Sequence, residues 1–173
     1  MSVSLLKSFS KVANAETKVL ILGSIPGRAS LNEQQYYAHP QNCFWRLMED
    51  LLQIDRTLPY AIRLAKLQAS GYGLWDVIRH CHRASSLDAD IVGSSVEVND
   101  FVQFFRAYPN VRSVFFNGTK AEAIFKKQVL PLLSTASNEL NFVAMRLPST
   151  SPAHAALDYQ AKLAIWSDIL LDR

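Results

Sequence analysis

The chain has 173 residues, which is enough for one domain with a substantial hydrophobic core, and we expect residues 1–173 to form that single domain. Hydrophobic residues make up 49% and charged residues 19%, which excludes a disordered chain, and no apolar run reaches the roughly 20 residues of a membrane-spanning helix. The net charge of +3 permits a local nucleic-acid-binding patch but does not require one.

Strand and helix patterns alternate along the chain. In chain order, the pattern predicts a strand at 18–24, a helix from Phe44, a strand at 73–78, a helix from Phe101 to before Pro109, a strand at 113–118, a helix at 119–129, a strand at 142–149 and a helix at 157–170. The strands are continuous apolar runs, which is typical of strands covered by helices on both faces. The sequence therefore predicts an α/β fold, a three-layer α/β/α sandwich with a central four-stranded, mainly parallel sheet.

Each predicted strand ends in a polar loop, and ligands of such folds bind beyond the carboxyl ends of the strands. The four loops contain GSIPG, DVIRH, NGTK and LPSTSPAH. In the first loop, Gly23 and Gly27 leave backbone amides open to a ligand. Neither a Walker sequence nor GxGxxG is present, which disfavours an ATPase or a dinucleotide enzyme. Tyr36 and Tyr37 offer flat surfaces for a base, whereas Phe44 and Trp45, which open the next helix, are expected in the core.

Conventional hydrolytic and metal sites have little support. Asp88 and Asp90 fall in a loop that is expected to be solvated, and no G-x-S-x-G sequence supplies a serine nucleophile. His80 and His82 flank Cys81, a spacing that makes a poor metal site without further ligands. The two cysteines form no CxxC pair, so we predict reduced thiols in the cytoplasm, with no metal and no cofactor. The N-terminal sequence does not predict a secretory signal.

Two polar features remain. Asp76 interrupts an apolar strand near its carboxyl end, so its carboxyl group must face a cleft or be hydrogen-bonded. The hydroxyl side chains Ser149, Thr150 and Ser151 lie between two prolines. They are suited to holding a phosphate, and equally to capping the following helix.

Together these segments resemble the uracil-DNA glycosylase superfamily. GSIPG, followed by SL, YYAHPQN and FW, is similar to the first motif of the superfamily, and LPSTSPAH is similar to the second. With GLWDVI and FNGTKAEA, the combination most resembles the hypoxanthine-DNA glycosylase branch. The resemblance implies a monomeric enzyme that flips a deaminated base out of damaged DNA and hydrolyses its N-glycosidic bond.

The resemblance also implies roles for individual residues. Tyr37 would stack on the base, and a carboxylate at Asp76 would accept a hydrogen bond from N1–H of hypoxanthine. The third position of the first motif is Ile25, where many relatives have Asp or Asn, so the water-positioning role passes to Asn42, with His39 assisting. Bracing of the loop is the alternative role for Asn42. The base-binding set is Gly23, Ser24, Ile25, Tyr37, Asp76 and Asn117; the DNA-binding set is Ser149, Thr150, Ser151, Pro152 and His154.

Leu147 is a second departure, since relatives often carry His, Asn or Met there, and Asn117 has the alternative role of capping the next helix. Three other functions remain open. One is a uracil or broader deaminated-base glycosylase. Another is a non-catalytic module that binds damaged DNA, and the third is a nucleoside hydrolase.

Overall fold

The computed structural model describes residues 4–136 and 142–171. Its strands and helices, in chain order, are β1 (Ser4–Lys7), β2 (Val19–Gly23), α1 (Arg28–Glu33), α2 (Phe44–Leu52), α3 (Tyr60–Ala69), β3 (Tyr72–Asp76), β4 (Ile78–Arg83), β5 (Glu97–Val98), α4 (Phe101–Ala107), β6 (Ser113–Asn117), α5 (Thr119–Ile124), α6 (Leu130–Thr135), β7 (Val143–Leu147) and α7 (Tyr159–Leu171). Within this part of the chain, no helix is both long and apolar enough to cross a membrane.

The central sheet has the strand order β3-β2-β6-β7, and all of its neighbouring strands are parallel. Successive residues of β2 face opposite sides because side chains alternate along a strand. Leu20 and Leu22 belong to the core that includes α4 and α5, whereas Ile21 belongs to the core formed with α2, α3 and α7. Helices therefore cover both faces, and the predicted three-layer α/β/α sandwich is confirmed.

The predicted strand at 73–78 is in fact divided between two sheets. The central-sheet strand β3 ends at Asp76, and Ile78 begins β4, which pairs antiparallel with β1 and β5. Val77 and Ile78 are fully buried, so the apolar run continues through the point where the chain leaves the sheet. This second sheet was missed because continuous burial hides the break in pairing.

The fourth strand is less buried than its apolar sequence predicted. Val143 is 49% exposed and Met145 is 38% exposed. β7 lies at the edge of the four-stranded sheet and pairs with β6 alone in that order, so helices shield it less than they shield β2. The expectation of burial on both faces was wrong for this strand.

The helix predicted at 119–129 continues further, to Thr135. A π-helical stretch (Phe125–Val129) joins α5 to α6, and Pro131 lies in the first turn of α6. Proline has no N–H to donate and its ring crowds the carbonyl four residues earlier, which accounts for the irregular turn before it. The predicted start of α4 is confirmed, since Asp100 accepts a hydrogen bond from Gln103 N at 2.9 Å.

Candidate active site

A cavity of about 580 Å³ opens at the carboxyl ends of the central strands. It is lined by all thirteen residues that the sequence nominated, namely Gly23, Ser24, Ile25, Tyr37, His39, Asn42, Asp76, Asn117, Ser149, Thr150, Ser151, Pro152 and His154. Parallel pairing brings these loops together, since the carboxyl ends of parallel strands share one edge of the sheet. The structure thus gathers two motifs from opposite ends of the chain around one space, while the roles of the residues stay predictions.

The floor of the cavity is formed where β2 and β3 end side by side. Gly23 and Asp76 are register partners in the parallel ladder. A Cβ atom on residue 23 would lie 2.7 Å from Asp76 Oδ1 and 3.6 Å from the Tyr37 hydroxyl. Only glycine leaves room for the carboxyl group at this position.

Asp76 is a buried acid with an unusual charge state. Its side chain is 3% exposed, and burial raises the pKa of the carboxyl group to about 8; the negative charge of Asp88 adds to the rise, while Arg83 and the Tyr36 hydroxyl oppose it. The carboxyl is therefore mostly protonated at pH 7. This differs from the ionised carboxylate assumed from the sequence, because a sequence does not reveal how far a side chain is removed from water.

The aromatic residues of the first motif divide between core and cavity, but Tyr36, which the sequence offered as a flat surface for a base, is only 3% exposed and belongs to the core. Phe44 is fully buried and Trp45 is 6% exposed, which confirms the interpretation that both belong to the core. The Tyr37 ring stacks on Phe44, with centroids 4.0 Å apart and an interplanar angle of 23°. Tyr37 also has a left-handed backbone, with φ of 58°, in the loop that leads to α2. One face of Tyr37 is therefore held by the core.

Asn42 and His39 form a tight turn at the rim. Asn42 N donates to His39 O at 2.8 Å, and Asn42 Oδ1 accepts from Phe44 N at 3.0 Å. The second bond is the loop-bracing contact that the sequence left as an alternative. His39 Nδ1 accepts from Gln41 N at 3.2 Å, so the imidazole is oriented by the same turn. The side-chain Oδ1 of Asn42 is engaged with the backbone, and Asn42 as a residue lines the cavity.

Asn117 is tied to the second motif. Its Nδ2 donates to Thr150 Oγ1 and its Oδ1 accepts from Thr150 N, both at 2.9 Å. Its side chain does not cap α5, which was the alternative role predicted from sequence. Beyond it, Gly118 has φ of +103°, and a Cβ atom there would meet Ser149 Cβ at 3.1 Å. Glycine is thus needed where β6 passes the second motif.

The second motif loop is also fastened to α2 and α7. Trp166 Nε1 donates to Pro148 O at 3.0 Å, and Lys162 Nζ donates to His154 O at 2.8 Å. Lys162 is only 5% exposed, which is rare for lysine. Cys43 N donates to Thr150 O at 3.1 Å. The sequence analysis predicted the last helix but offered no signal for these contacts.

The hydroxyl groups of this loop bond mainly within it. Ser149 Oγ accepts from Ser151 N at 3.2 Å, and Ser151 Oγ accepts from Ala153 N at 3.3 Å. These are turn contacts within the loop, and they do not cap the following helix as the sequence had left open; the first turn of α7 is capped by Asp158, whose Oδ1 accepts from Ala161 N at 2.8 Å. Pro152 is exposed and His154 is half-buried at the mouth of the cavity.

A loop after β4 completes the wall, and sequence reasoning missed it. Asp88 is exposed, as predicted, yet its Oδ1 accepts from Ser24 Oγ at 2.6 Å and it lines the cavity. Arg83 is 2% exposed and its Nη2 donates to Pro26 O at 2.6 Å, which braces GSIPG from beneath. Ile25 is 6% exposed and belongs to the core, so an apolar side chain fills the position where the family resemblance leads one to expect Asp or Asn.

Comparison with known proteins identifies the family of this fold and site. The family model of the uracil DNA glycosylase superfamily matches residues 10–170. The chain belongs to the uracil DNA glycosylase superfamily. It is therefore a DNA glycosylase by family, and DNA is its substrate class. In the described ranges, no cluster of three or more His, Cys, Asp or Glu side chains could hold a metal ion.

Individual superfamily members are also similar. A hypoxanthine DNA glycosylase of Methanosarcina barkeri (strain Fusaro / DSM 804) is 38% identical over 116 residues, which is 66% of this chain and 72% of that protein. A second hypoxanthine DNA glycosylase, from Methanosarcina acetivorans, is 37% identical over 116 residues, which is again 66% of this chain and 72% of that protein. A solution NMR structure from Methanosarcina acetivorans, described as a candidate uracil DNA glycosylase, has a TM-score of 0.76 and 30% identity over 96% of this chain and 99% of that one.

Proposed function

We propose that this glycosylase hydrolyses the N-glycosidic bond of deaminated bases in DNA, and that deoxyinosine is its principal substrate. The observation that carries the proposal is one cavity lined by residues of both motifs, with Asp76 at its floor and Asn42 at its rim. The volume of about 580 Å³ lies within the range of ligand sites and accommodates a purine. The two relatives named hypoxanthine DNA glycosylase support the same substrate.

Entry of the base requires flipping. Extrusion costs a few kcal/mol and is easiest for a weakened pair such as one that contains inosine. In the cavity, the base would stack on the face of Tyr37 opposite Phe44, since Phe44 occupies the other. The second motif loop, with exposed Pro152 and half-buried His154, would contact the duplex at the vacated position. The hydroxyl groups of Ser149, Thr150 and Ser151, which accept hydrogen bonds within the protein, would donate to phosphate oxygens of the DNA.

Hydrolysis follows without a covalent enzyme intermediate. The bond between C1′ and N9 lengthens, its electron pair moves to the base, and a water molecule adds to C1′ of the oxocarbenium-like sugar. The products are the free base, which gains a proton, and an abasic site. Asn42 would hold the water through its amide group, and His39 would help to stabilise the departing base. An amide is a weak base, so positioning and electrostatic stabilisation supply the rate enhancement.

A substrate panel tests the proposal directly. Duplexes that carry inosine, uracil, xanthine or ethenoadenine are incubated with the protein and scored for alkali-labile sites. We expect cleavage at inosine to be fastest. Absence of cleavage in every duplex would reject the enzymatic function and favour a module that only binds damaged DNA, while cleavage of free inosine but not of inosine in DNA would favour a nucleoside hydrolase.

Uracil is the second candidate substrate. It presents the same combination of a ring N–H beside a carbonyl, and the cavity that admits a purine also admits a pyrimidine. The structural relative described as a candidate uracil DNA glycosylase adds support. A ratio of kcat/KM for uracil over inosine above one in matched duplexes would make uracil the principal substrate.

The role of Asn42 has its own test. Asn42→Ala should lower the single-turnover rate by about 10²–10³-fold with little change in DNA binding, because the amide that holds water is lost. The matched control is Gln41→Ala, which changes an exposed neighbour that does not line the cavity. Unfolding temperatures of both variants show whether the lost bond to Phe44 N also matters. A normal rate in Asn42→Ala would leave only the loop-bracing role.

A further inference from the structure

The third position of the first motif carries no acid, but a carboxyl group from a distant segment reaches the neighbouring position. Ile25 is buried in the core. Ser24, which precedes it, donates from Oγ to Asp88 Oδ1 at 2.6 Å, across 64 residues of chain. Asp88 belongs to the wall loop, residues 84–90, which follows β4. Because Ser24 and Asp88 both line the cavity, the bond places an acid there that the first motif does not supply.

The wall loop is fastened to the first motif by further hydrogen bonds. Arg28 N donates to Ser86 Oγ at 3.2 Å, and Arg28 Nη2 donates to Ala84 O at 2.9 Å. At the start of the loop, the buried Arg83 donates from Nη2 to Pro26 O at 2.6 Å. These contacts give the loop a defined position against the first motif in the protein without DNA.

One oxygen of the Asp88 carboxyl group is not used within the protein. Oδ1 accepts from Ser24, whereas Oδ2 accepts no hydrogen bond from the described residues. Ion pairs within the described part of the chain do not include Asp88, and its side chain does not cap the short 3₁₀ turn in which it lies. The side chain is exposed. The carboxyl group is therefore positioned through one oxygen and open to a ligand through the other.

Asp90 belongs to the same turn but has a different position. Its Oδ2 accepts from Ser85 Oγ within the wall loop, and Asp90 does not line the cavity. The bond to Ser85 accounts for this acid as a local brace. Of the two exposed acids of the turn, Asp88 alone meets the cavity, so the pair offers a matched comparison.

The charge of Asp88 extends to the cavity floor. Burial raises the pKa of Asp76 to about 8, and the negative charge of Asp88 adds to the rise. The buried cation Arg83 is directed at Pro26 O rather than at Asp88. The charged and titratable groups that share the cavity with Asp88 or act on it electrostatically are Asp76 on β3, Cys81 and Arg83 on β4, Arg28 on α1, Tyr36, Tyr37 and His39 before α2, Lys120 on α5, and His154 in the second motif loop.

Hydrolysis of an N-glycosidic bond has two requirements that an ionised carboxyl group meets. The sugar gains positive charge as the bond to the base lengthens, and an anion near C1′ stabilises that charge. The attacking water must also lose a proton, and the amide of Asn42 is too weak a base to take it. DNA bound over the cavity would exclude water from the exposed carboxylate, which strengthens its attraction for the sugar.

We propose that Asp88 is a catalytic residue that performs the role of the acid absent at Ile25. In the complex with DNA, its Oδ2 faces C1′, stabilises the positive charge on the sugar and accepts a proton from the water that Asn42 holds. The electron pair of the bond between C1′ and the base leaves with the base, and the water oxygen bonds to C1′. The proton on Asp88 then passes to solvent, while the departing base takes up another. The inference rests on the proposed function and adds a residue to it.

Removal of the charge tests this role. Asp88→Asn keeps the shape of the side chain and an oxygen that can accept from Ser24, but it has no charge and is not a base. Its single-turnover rate on inosine DNA at pH 7 should fall by about 10²-fold or more. Its Kd for the same DNA should stay within about threefold of the parent value or become tighter, since an anion close to phosphates is lost. Asp90→Asn is the matched control and should keep the parent rate.

A pH series distinguishes a catalytic carboxylate from a structural one. The ionised form is the active form, so the contribution of Asp88 is present at neutral pH and is lost in acid. The ratio of the parent rate to that of Asp88→Asn should therefore fall between about pH 7.5 and about pH 4, because protonation removes the same charge that the substitution removes. Other titrating groups, such as His39 and His154, are present in both proteins and affect both rates.

The outcomes separate this inference from the proposed function. Circular dichroism and thermal unfolding would establish that the variants are folded. A rate of Asp88→Asn within about threefold of the parent rate, equal losses in Asp88→Asn and Asp90→Asn, a loss of rate explained by weaker DNA binding, or a rate ratio independent of pH would overturn the inference and leave the glycosylase function intact. Failure of the parent chain on every lesion would instead reject the proposed function.

Discussion

Close packing around single atoms defines the floor of the cavity. Gly23 and Asp76 share a rung of the parallel ladder, and the absence of a side chain on one makes room for the carboxyl of the other. The same pair explains why an acid can be buried there: the space suits a carboxyl but provides no partner for Oδ2. At the scale of residues, steric fit and removal from water together set the chemistry of Asp76.

Gly23→Ala tests this fit. The added methyl group would lie 2.7 Å from Asp76 Oδ1, and the buried carboxyl has little room to turn away. We expect a loss of about 1–3 kcal/mol in the free energy of unfolding, a fall of about 3–10 °C in the melting temperature, and reduced base excision.

Gly93→Ala is the matched control, since a Cβ atom there would meet nothing within 4 Å. Thermal unfolding and single-turnover assays of both variants make the comparison. Equal stability and activity for the two would mean that the floor is not closely packed.

At the scale of elements, the second motif is a loop whose shape depends on its neighbours. Asn117 at the end of β6 bonds both the amide and the hydroxyl of Thr150, and Trp166 on α7 bonds the carbonyl of Pro148. The buried Lys162 bonds the carbonyl of His154 at the far end of the loop. A loop held at three points is pre-organised for a DNA surface, which lowers the entropy lost on binding.

Lys162→Met tests the contribution of α7 to the loop. Methionine keeps most of the apolar stem but does not donate to His154 O, so we expect a loss of about 1–3 kcal/mol in stability and a slower single-turnover rate. Lys126→Met is the control, because Lys126 forms an exposed pair with Glu122 that is worth under about 1 kcal/mol. If Lys162→Met kept the melting temperature and excision rate of the parent chain, the loop would be shown to hold its shape without Lys162.

At the scale of the whole molecule, the net charge of +3 is small and the placement of cations matters more than their number. Arg28 and Lys120 both line the cavity, one on α1 and one on α5. Cations at the mouth of a DNA-binding site neutralise phosphates and release bound counterions. This arrangement would give the protein a charged rim around an uncharged floor.

Lys120→Ala tests the rim. It should weaken binding to DNA of any sequence and reduce the slope of log K against log [salt] by about one, because one phosphate contact is lost. Lys66→Ala, which removes an exposed lysine of α3 away from the cavity, serves as control. Fluorescence anisotropy at several salt concentrations would measure both slopes, and identical slopes would place Lys120 outside the DNA contact.

Much of the fold followed from local pattern. Apolar runs such as 18–24 are recognisable because a strand buried on both faces needs no polar positions, and Asp100 marks the start of α4 by its capping chemistry. The run at 73–78 was predicted as one strand, but it belongs to two sheets, because its residues stay buried where the chain passes from β3 to β4. The run at 142–149 was predicted to be buried on both faces, which was wrong because apolar composition does not reveal that a strand lies at the edge of its sheet.

The sequence by itself determined the layered fold, the order of the motifs and the gathering of their residues at one edge, and its resemblance to the family showed that Ile25 stands where many relatives have Asp or Asn. These depend on residue type and on the common direction of parallel strands. The tertiary structure alone decided that Asp76 is buried and mostly protonated, that Asp88 reaches the cavity, and that Asn117 braces Thr150. Burial, charge state and long-range hydrogen bonds depend on distances between segments far apart in the chain, and those distances exist only once the sheets and helices have packed.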